Sequence, residues 1–175
     1  MLEGILIEGF IYGIMVLGVF FTFRMLNFAD MTVDGSFPLG AAIMAGMLLK
    51  GTPSAAAFAL AFAGGALAGL VTALIHTRLR IPDLLSGILT MTMLYSINLR
   101  VMSNRANLSL LRTPSLFTRL SEWAAPFMPP GIALVILCAL TAFIIKGLLD
   151  LFFLTDFGLS IGALGANPQM IVSQG

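Results

Sequence analysis

The sequence predicts an all-α protein, a polytopic transmembrane helix bundle of about five membrane segments, the second of them broken or re-entrant. Three observations predict it. The chain of 175 residues is 59% hydrophobic and only 10% charged, where soluble domains carry roughly a quarter charged residues. Four stretches, Leu2–Phe23, Ala55–Ile75, Leu84–Leu99 with its flanks and Ile132–Leu154, approach or exceed the ~20 apolar residues that a helical crossing needs. Half of the 18 glycines fall inside these runs, and glycine is more frequent in membrane helices than in soluble ones. The mean hydropathy of +1.03 agrees.

The first span, Leu2–Phe23, carries Glu3 and Glu8 and lacks a basic start, so it reads as a retained span and not as a cleaved leader. It closes at Arg24. NFADMTVDGSFPLGAA (27–42) follows, placing Asn27, Asp30 and Asp34 just before Gly35, Ser36 and Pro38. Pro38–Leu49 alone is short for a crossing. Extended back to Thr32 it is long enough, but Asp34-Gly35-Ser36 and Pro38 interrupt it. The expectation is a helix broken there, with Ser36 as N-cap of the half beginning at Phe37-Pro38.

In the third segment, Ala55–Ile75, Gly65 and Gly69 form a GxxxG pair beside Gly64, which predicts close helix packing. A basic cluster, His76 to Arg80, ends it, and Ile81-Pro82-Asp83 turns the chain into the fourth span, which runs to about Arg100. Ser103–Pro130 is the most polar segment, with Arg105, Arg112, Arg119, Glu122 and Trp123. Its 116–127 portion predicts a short interfacial helix with Trp123 at headgroup depth. Pro129-Pro130-Gly131 opens the fifth span, where Lys146 and Asp150 stand at i and i+4, the spacing of a local ion pair. The stretch 155–175 neither spans nor reads as a solvated tail, and it stops as a further helix begins. The chain reads as truncated at its C-terminal end.

Several function classes are excluded. A net charge of +1 leaves no electrostatic footprint for nucleic acid. With one cysteine, Cys138, and one histidine, His76, neither a disulfide framework nor a structural zinc site can be assembled. No nucleophile–base pair is visible, so no enzyme, metal or cofactor is expected. What remains is polarity inside the membrane. Asp30 and Asp34 share a helical face, and intramembrane carboxylates are costly enough that function is their default reading, here a cation or proton site. Capping of free backbone N–H groups accounts for Asp30 equally well and for Asp34 better. Asn98, near Tyr95 in the last turns of the fourth span, either bonds to a neighbouring helix or faces a solute path.

FRMLNFADMTVDGSFPLGAA (23–42) resembles the permease subunits of ABC importers of the branched-chain amino acid type, in the subgroup with LxFADxTVDGSFPLGAA after the first span. GLSIGALGANPQMIVSQG (158–175) is similar to the family's GLALRATGxNPQM stretch, a cytoplasmic coupling helix that docks on the ATPase subunit. RIPDLLSGILTMTMLYSINLRVM (80–102) also resembles it, so the likeness covers essentially the whole chain. It implies that 1–175 is the N-terminal portion of a single transmembrane permease domain in the inner membrane. It further implies that Gly165, Asn167, Pro168 and Met170 contact the ATPase. Gly162 and Leu164 depart from the pattern, standing where arginine and threonine are usual.

In such permeases the second segment is irregular and lies against the path, which implies path-lining or helix-breaking roles for Asn27, Asp30, Thr32, Asp34, Ser36 and Asn98. Implied partners are an ABC ATPase, an extracytoplasmic substrate-binding protein, a second permease copy and membrane lipid. Local chemistry adds an expectation at the coupling segment. Gly165 supplies backbone freedom for a turn, Asn167 caps and Pro168 starts a helix presenting Met170. With that segment inside, five crossings put Arg24, Arg78 and Arg80 inside and Lys50, Arg100, Arg105, Arg112 and Arg119 outside. This runs against the positive-inside bias, and a basic outer loop would match an acidic binding protein. The rival function is an ion-coupled secondary transporter with its acidic site at a broken helix.

Overall fold

A computed structural model describes residues 2–105, 107–108 and 129–166. They form six helices: α1 (Leu2–Leu26), α2 (Val33–Leu49), α3 (Ser54–Leu79), α4 (Asp83–Val101), α5 (Pro130–Phe153) and α6 (Asp156–Ala166). No strand occurs among the described residues. Four helices, all but α2 and α6, have the length and hydropathy to cross a membrane. Their outward faces carry large apolar side chains such as Phe62, 74% exposed, and Phe143, 68% exposed. Water would penalise such faces, whereas hydrocarbon does not. The segment containing Trp123, Arg112 and Arg119 lies outside the described residues.

The chain divides into two compact units, residues 2–29 with 129–166, and residues 30–108. In the first, α1 and α5 run parallel. Glu3 lies against Gly131 near their starts, and Phe21 stacks on Phe153 at 5.3 Å near their ends. Asn27 stops α1 in the left-handed region, at φ 50°, a conformation that asparagine tolerates better than most residues. Thr155 caps α6, its Oγ1 accepting from the Gly158 N–H at 3.2 Å. Lys146 and Asp150 form the expected pair at 2.8 Å. With side chains 57% and 60% exposed, the pair adds little stability.

In the second unit, α2 packs antiparallel to α3 and parallel to α4. Thr32 meets Thr72 while Ile43 meets Gly64; Met31 meets Gly87 while Gly46 meets Val101. Leu39, Ala68 and Leu94 form the core, with Ile43 against it. The glycine that brings α3 to α2 is Gly64, whose added Cβ would lie 2.5 Å from Ile43 Cδ1. Gly65 and Gly69, the predicted GxxxG pair, face open space, because they project from another face of α3. At the far end of α3, Arg80 takes φ 52°, and the His76 Nδ1–H closes the turn on the Ile81 carbonyl at 2.8 Å.

The interruption of the second segment lies earlier than expected. α2 is one continuous helix from Val33, and the irregular backbone is Asn27–Met31 before it. Ser36 is therefore not an N-cap. Its N–H already bonds to the Thr32 carbonyl at 2.9 Å, which makes it an ordinary helical residue. Pro38 is tolerated inside the helix, where it removes one backbone donor. The 17 residues of α2 extend about 25 Å, slightly less than a ~30 Å hydrocarbon core. Alternating direction with α3 and α4, α2 has the orientation of a short crossing.

Candidate functional site

The polar residues of the second unit gather where α2 begins. Asp30 Oδ1 accepts from the Thr32 N–H at 2.8 Å, an Asx turn that fixes the approach to α2. The Thr32 carbonyl takes the N–H groups of Gly35 and Ser36 at 3.0 and 2.9 Å. Its hydroxyl points to Thr72 Oγ1 at 2.7 Å and does not cap the helix. Thr72 Oγ1 donates to Thr90 Oγ1 at 2.9 Å, with the Ala68 carbonyl at 3.2 Å, and Thr90 Oγ1 donates to the Ser86 carbonyl at 3.0 Å. Each hydroxyl has one hydrogen. With Thr72 and Thr90 committed as donors, Thr32 donates to Thr72, and the chain of bonds runs one way through α2, α3 and α4.

All four of these residues are at most 2% exposed. Two glycines permit so close an approach. A Cβ at Gly87 would come within 2.8 Å of the Met31 nitrogen, and one at Gly35 within 3.1 Å of Met91 Cα. Because both obstacles are backbone, neither can give way cheaply. The start of α2 is thus clamped on α4 by missing side chains and tied to α3 by hydroxyls.

Beside this clamp lies a cavity of about 350 Å³, whose lining includes Asp34, Gly35, Pro38, Met91, Tyr95 and Asn98. Asn98 is 9% exposed, and its Nδ2 donates to the Gly35 carbonyl at 3.2 Å. Since a carbonyl only accepts, the amide orientation is set, and Oδ1 is left with no partner among the described residues. Asp34 is exposed and its side chain makes no hydrogen bond among them. It is not the cap that the sequence favoured, because Asp30 holds the chain before α2 and Thr32 starts the helix. Pro38, lacking an N–H, offers no donor to the Asp34 carbonyl. The lining residues therefore carry a carboxylate, an unanswered amide oxygen and a tyrosine hydroxyl. Such a set suits a solute rich in hydrogen-bond donors, above all an ammonium group.

Of the residues singled out from sequence, Asp34 and Asn98 meet at this cavity, and Asp30 and Thr32 shape the turn before it. Ser36 closes the first turn of α2. Asn27 belongs to the other unit, at the end of α1. Thr72, Ser86, Gly87 and Thr90 were not anticipated, although three hydroxyls and a glycine in otherwise apolar helices are the signal that marks them.

The predicted coupling segment is only partly described. Gly165 lies inside α6, and an added Cβ would overlap the Met25 carbonyl at the end of α1. Its glycine serves close approach and not the expected turn. Asn167, Pro168 and Met170 lie outside the described residues.

A family described as "Branched-chain amino acid transport system / permease component" matches residues 1–175. A "Tyrosine transport system permease protein" of Clostridioides difficile (strain R20291) is 40% identical over 171 residues, 98% of this chain and 54% of the relative. An uncharacterised protein of Rickettsia prowazekii (strain Madrid E) is 32% identical over 163 residues, 92% of this chain and 53% of the relative. The chain thus spans about half the length of either relative. No solved structure matches it.

Proposed function

Because the chain belongs to the branched-chain amino acid transport permease family and is a multi-pass membrane protein, we propose that it forms part of the inward path of an ATP-driven importer for a small, amino-acid-like solute. The observation that carries the path assignment is the cavity beside α2. There an exposed carboxylate, Asp34, and an unanswered oxygen, Asn98 Oδ1, belong to lining residues of one space on a short helix. A zwitterionic solute brings the ammonium group that these oxygens lack, and the relative named for tyrosine transport supports an amino acid as cargo. The hydroxyl-tied clamp of α2, α3 and α4 keeps this wall rigid while other parts move.

Energy comes from a separate ABC ATPase that docks on the segment 155–175, with Gly165, Asn167, Pro168 and Met170 at the contact. An extracytoplasmic binding protein delivers the solute, and a second permease, identical or related, completes the path. In this reading α6 packs on the end of α1, so motion at the docking segment reaches a spanning helix directly. The test is Met170→Asp in the permease assembled with its ATPase. The variant should remain in the membrane, hold the ATPase more weakly and lose solute-stimulated ATP hydrolysis. Full association and full stimulation would remove the coupling assignment.

A further inference from the structure

The second unit holds another cavity, of about 620 Å³, on the flank of α2, α3 and α4. Its walls are apolar, including Ile43, Met47, Leu60 and Leu67, and Gly46, whose missing side chain would meet only the Val101 carbonyl, leaves it open. Lys50 and Arg105 also line it. Both are exposed, and neither has an ionic partner among the described residues, where the pair found is Lys146–Asp150. Lys50 follows the last residue of α2, and Arg105 follows the end of α4, so both sit where spanning helices leave the hydrocarbon. The chain reaches Arg105 through Ser103 and Asn104, both at φ 57°. Two consecutive non-glycine residues in the left-handed region are unfavourable. The turn is held by Asn104 N–H to the Leu99 carbonyl at 2.7 Å and Arg105 N–H to the Met102 carbonyl at 3.2 Å. Its outcome is that Ser103 and Arg105 both border the cavity.

We propose that this cavity binds an anionic phospholipid, with its phosphate held by Lys50 and Arg105 and an acyl chain along the apolar walls. Charge and apolarity together select this occupant. A zwitterionic lipid would cover the walls but bring its own cation beside the phosphate, leaving Lys50 and Arg105 without net countercharge, while an acidic segment of a soluble partner would answer the cations and leave the walls bare. An anionic lipid does both, at the depth where headgroup phosphates lie.

The test is native mass spectrometry of the purified permease in detergent containing equal amounts of dioleoyl phosphatidylglycerol and dioleoyl phosphatidylcholine. Retained phosphatidylglycerol should exceed phosphatidylcholine by at least about fivefold, the preference one basic residue provides near an anionic surface. Lys50→Gln with Arg105→Gln should bring the ratio close to one while phosphatidylcholine retention holds. Each single substitution should give an intermediate ratio, and Lys50→Arg with Arg105→Lys should keep the preference. Gly46→Leu keeps both cations and fills the space, since a Cβ there meets only the Val101 carbonyl at 3.7 Å, so it should lower retention of both lipids. All variants are compared at equal helical content by circular dichroism. An unchanged ratio in the double glutamine variant would overturn the proposal. So would displacement of phosphatidylglycerol by soluble hexaglutamate at equal concentration, which would assign the cations to an acidic protein partner.

Discussion

Replacing Thr72 by valine removes the middle hydroxyl of the Thr32–Thr72–Thr90 chain at almost constant volume. Two interhelical bonds go with it, the 2.7 Å bond from Thr32 and the 2.9 Å bond to Thr90. Hydrogen bonds between membrane helices average about 0.6 kcal/mol and reach about 1.7 kcal/mol each. Thr90 keeps its bond to the Ser86 carbonyl, but Thr32, 2% exposed, is left with a buried hydroxyl lacking its acceptor. The expected loss is about 1–3 kcal/mol for Thr72→Val. Thr72→Ser, which keeps the hydroxyl, should cost less. The decisive variant is Thr32→Val with Thr72→Val. Once Thr72 is gone Thr32 has nothing left to lose there, so the double variant should be more stable than the sum of the single losses predicts, by about 0.6–1.7 kcal/mol. Unfolding by dodecyl sulfate in mixed micelles, followed by circular dichroism, reads these variants and Thr32→Val alone. Additive losses within about 0.3 kcal/mol, or a Thr72→Val protein as stable as the original, would refute the hydroxyl chain.

Other predictions follow from neighbouring residues. Gly87→Ala drives a Cβ to 2.8 Å from the Met31 nitrogen and should cost about 1–3 kcal/mol in the same unfolding assay. Gly40→Ala, with nothing within 4 Å, should be neutral or stabilising by up to about 1 kcal/mol. Asp30→Ala should cost about 1 kcal/mol through its Asx turn and Asp30→Asn much less, measured likewise. Asp34→Asn should leave stability unchanged and lower solute uptake roughly tenfold, the effect of losing one charge-assisted bond worth ~1.5 kcal/mol. Normal uptake by that variant would remove Asp34 from the path.

The spans were legible because hydrocarbon imposes a length and composition that survive in sequence, and α1, α3, α4 and α5 fall where the apolar runs stand. The pair Lys146–Asp150 was legible for a similar reason, since i,i+4 geometry is local. The start of α2 was misplaced by four residues because Asp30, Asp34 and Ser36 are all competent caps. None of them caps it: α2 starts from Thr32 with no side-chain cap, the Thr32 hydroxyl being drawn away to Thr72, forty residues along, while Asp30 holds the Thr32 N–H. Of the glycines Gly64, Gly65 and Gly69, only Gly64 packs on α2, and spacing alone does not say which face of α3 meets it. The cavity shared by Asp34 and Asn98 joins residues 64 positions apart, a proximity that only the parallel packing of α2 and α4 creates. Polarity in a span named both residues in advance; it did not say that they meet.

Uptake into proteoliposomes decides whether this permease works in an ATP-driven importer. The vesicles carry the permease with its ATPase and binding protein, and radiolabelled amino acid is supplied on the binding-protein side. Uptake should require ATP on the ATPase side and persist when proton and sodium gradients are collapsed by ionophores. Uptake that ignores ATP and vanishes with an ion gradient would contradict that role and assign the acidic cavity to an ion-coupled transporter.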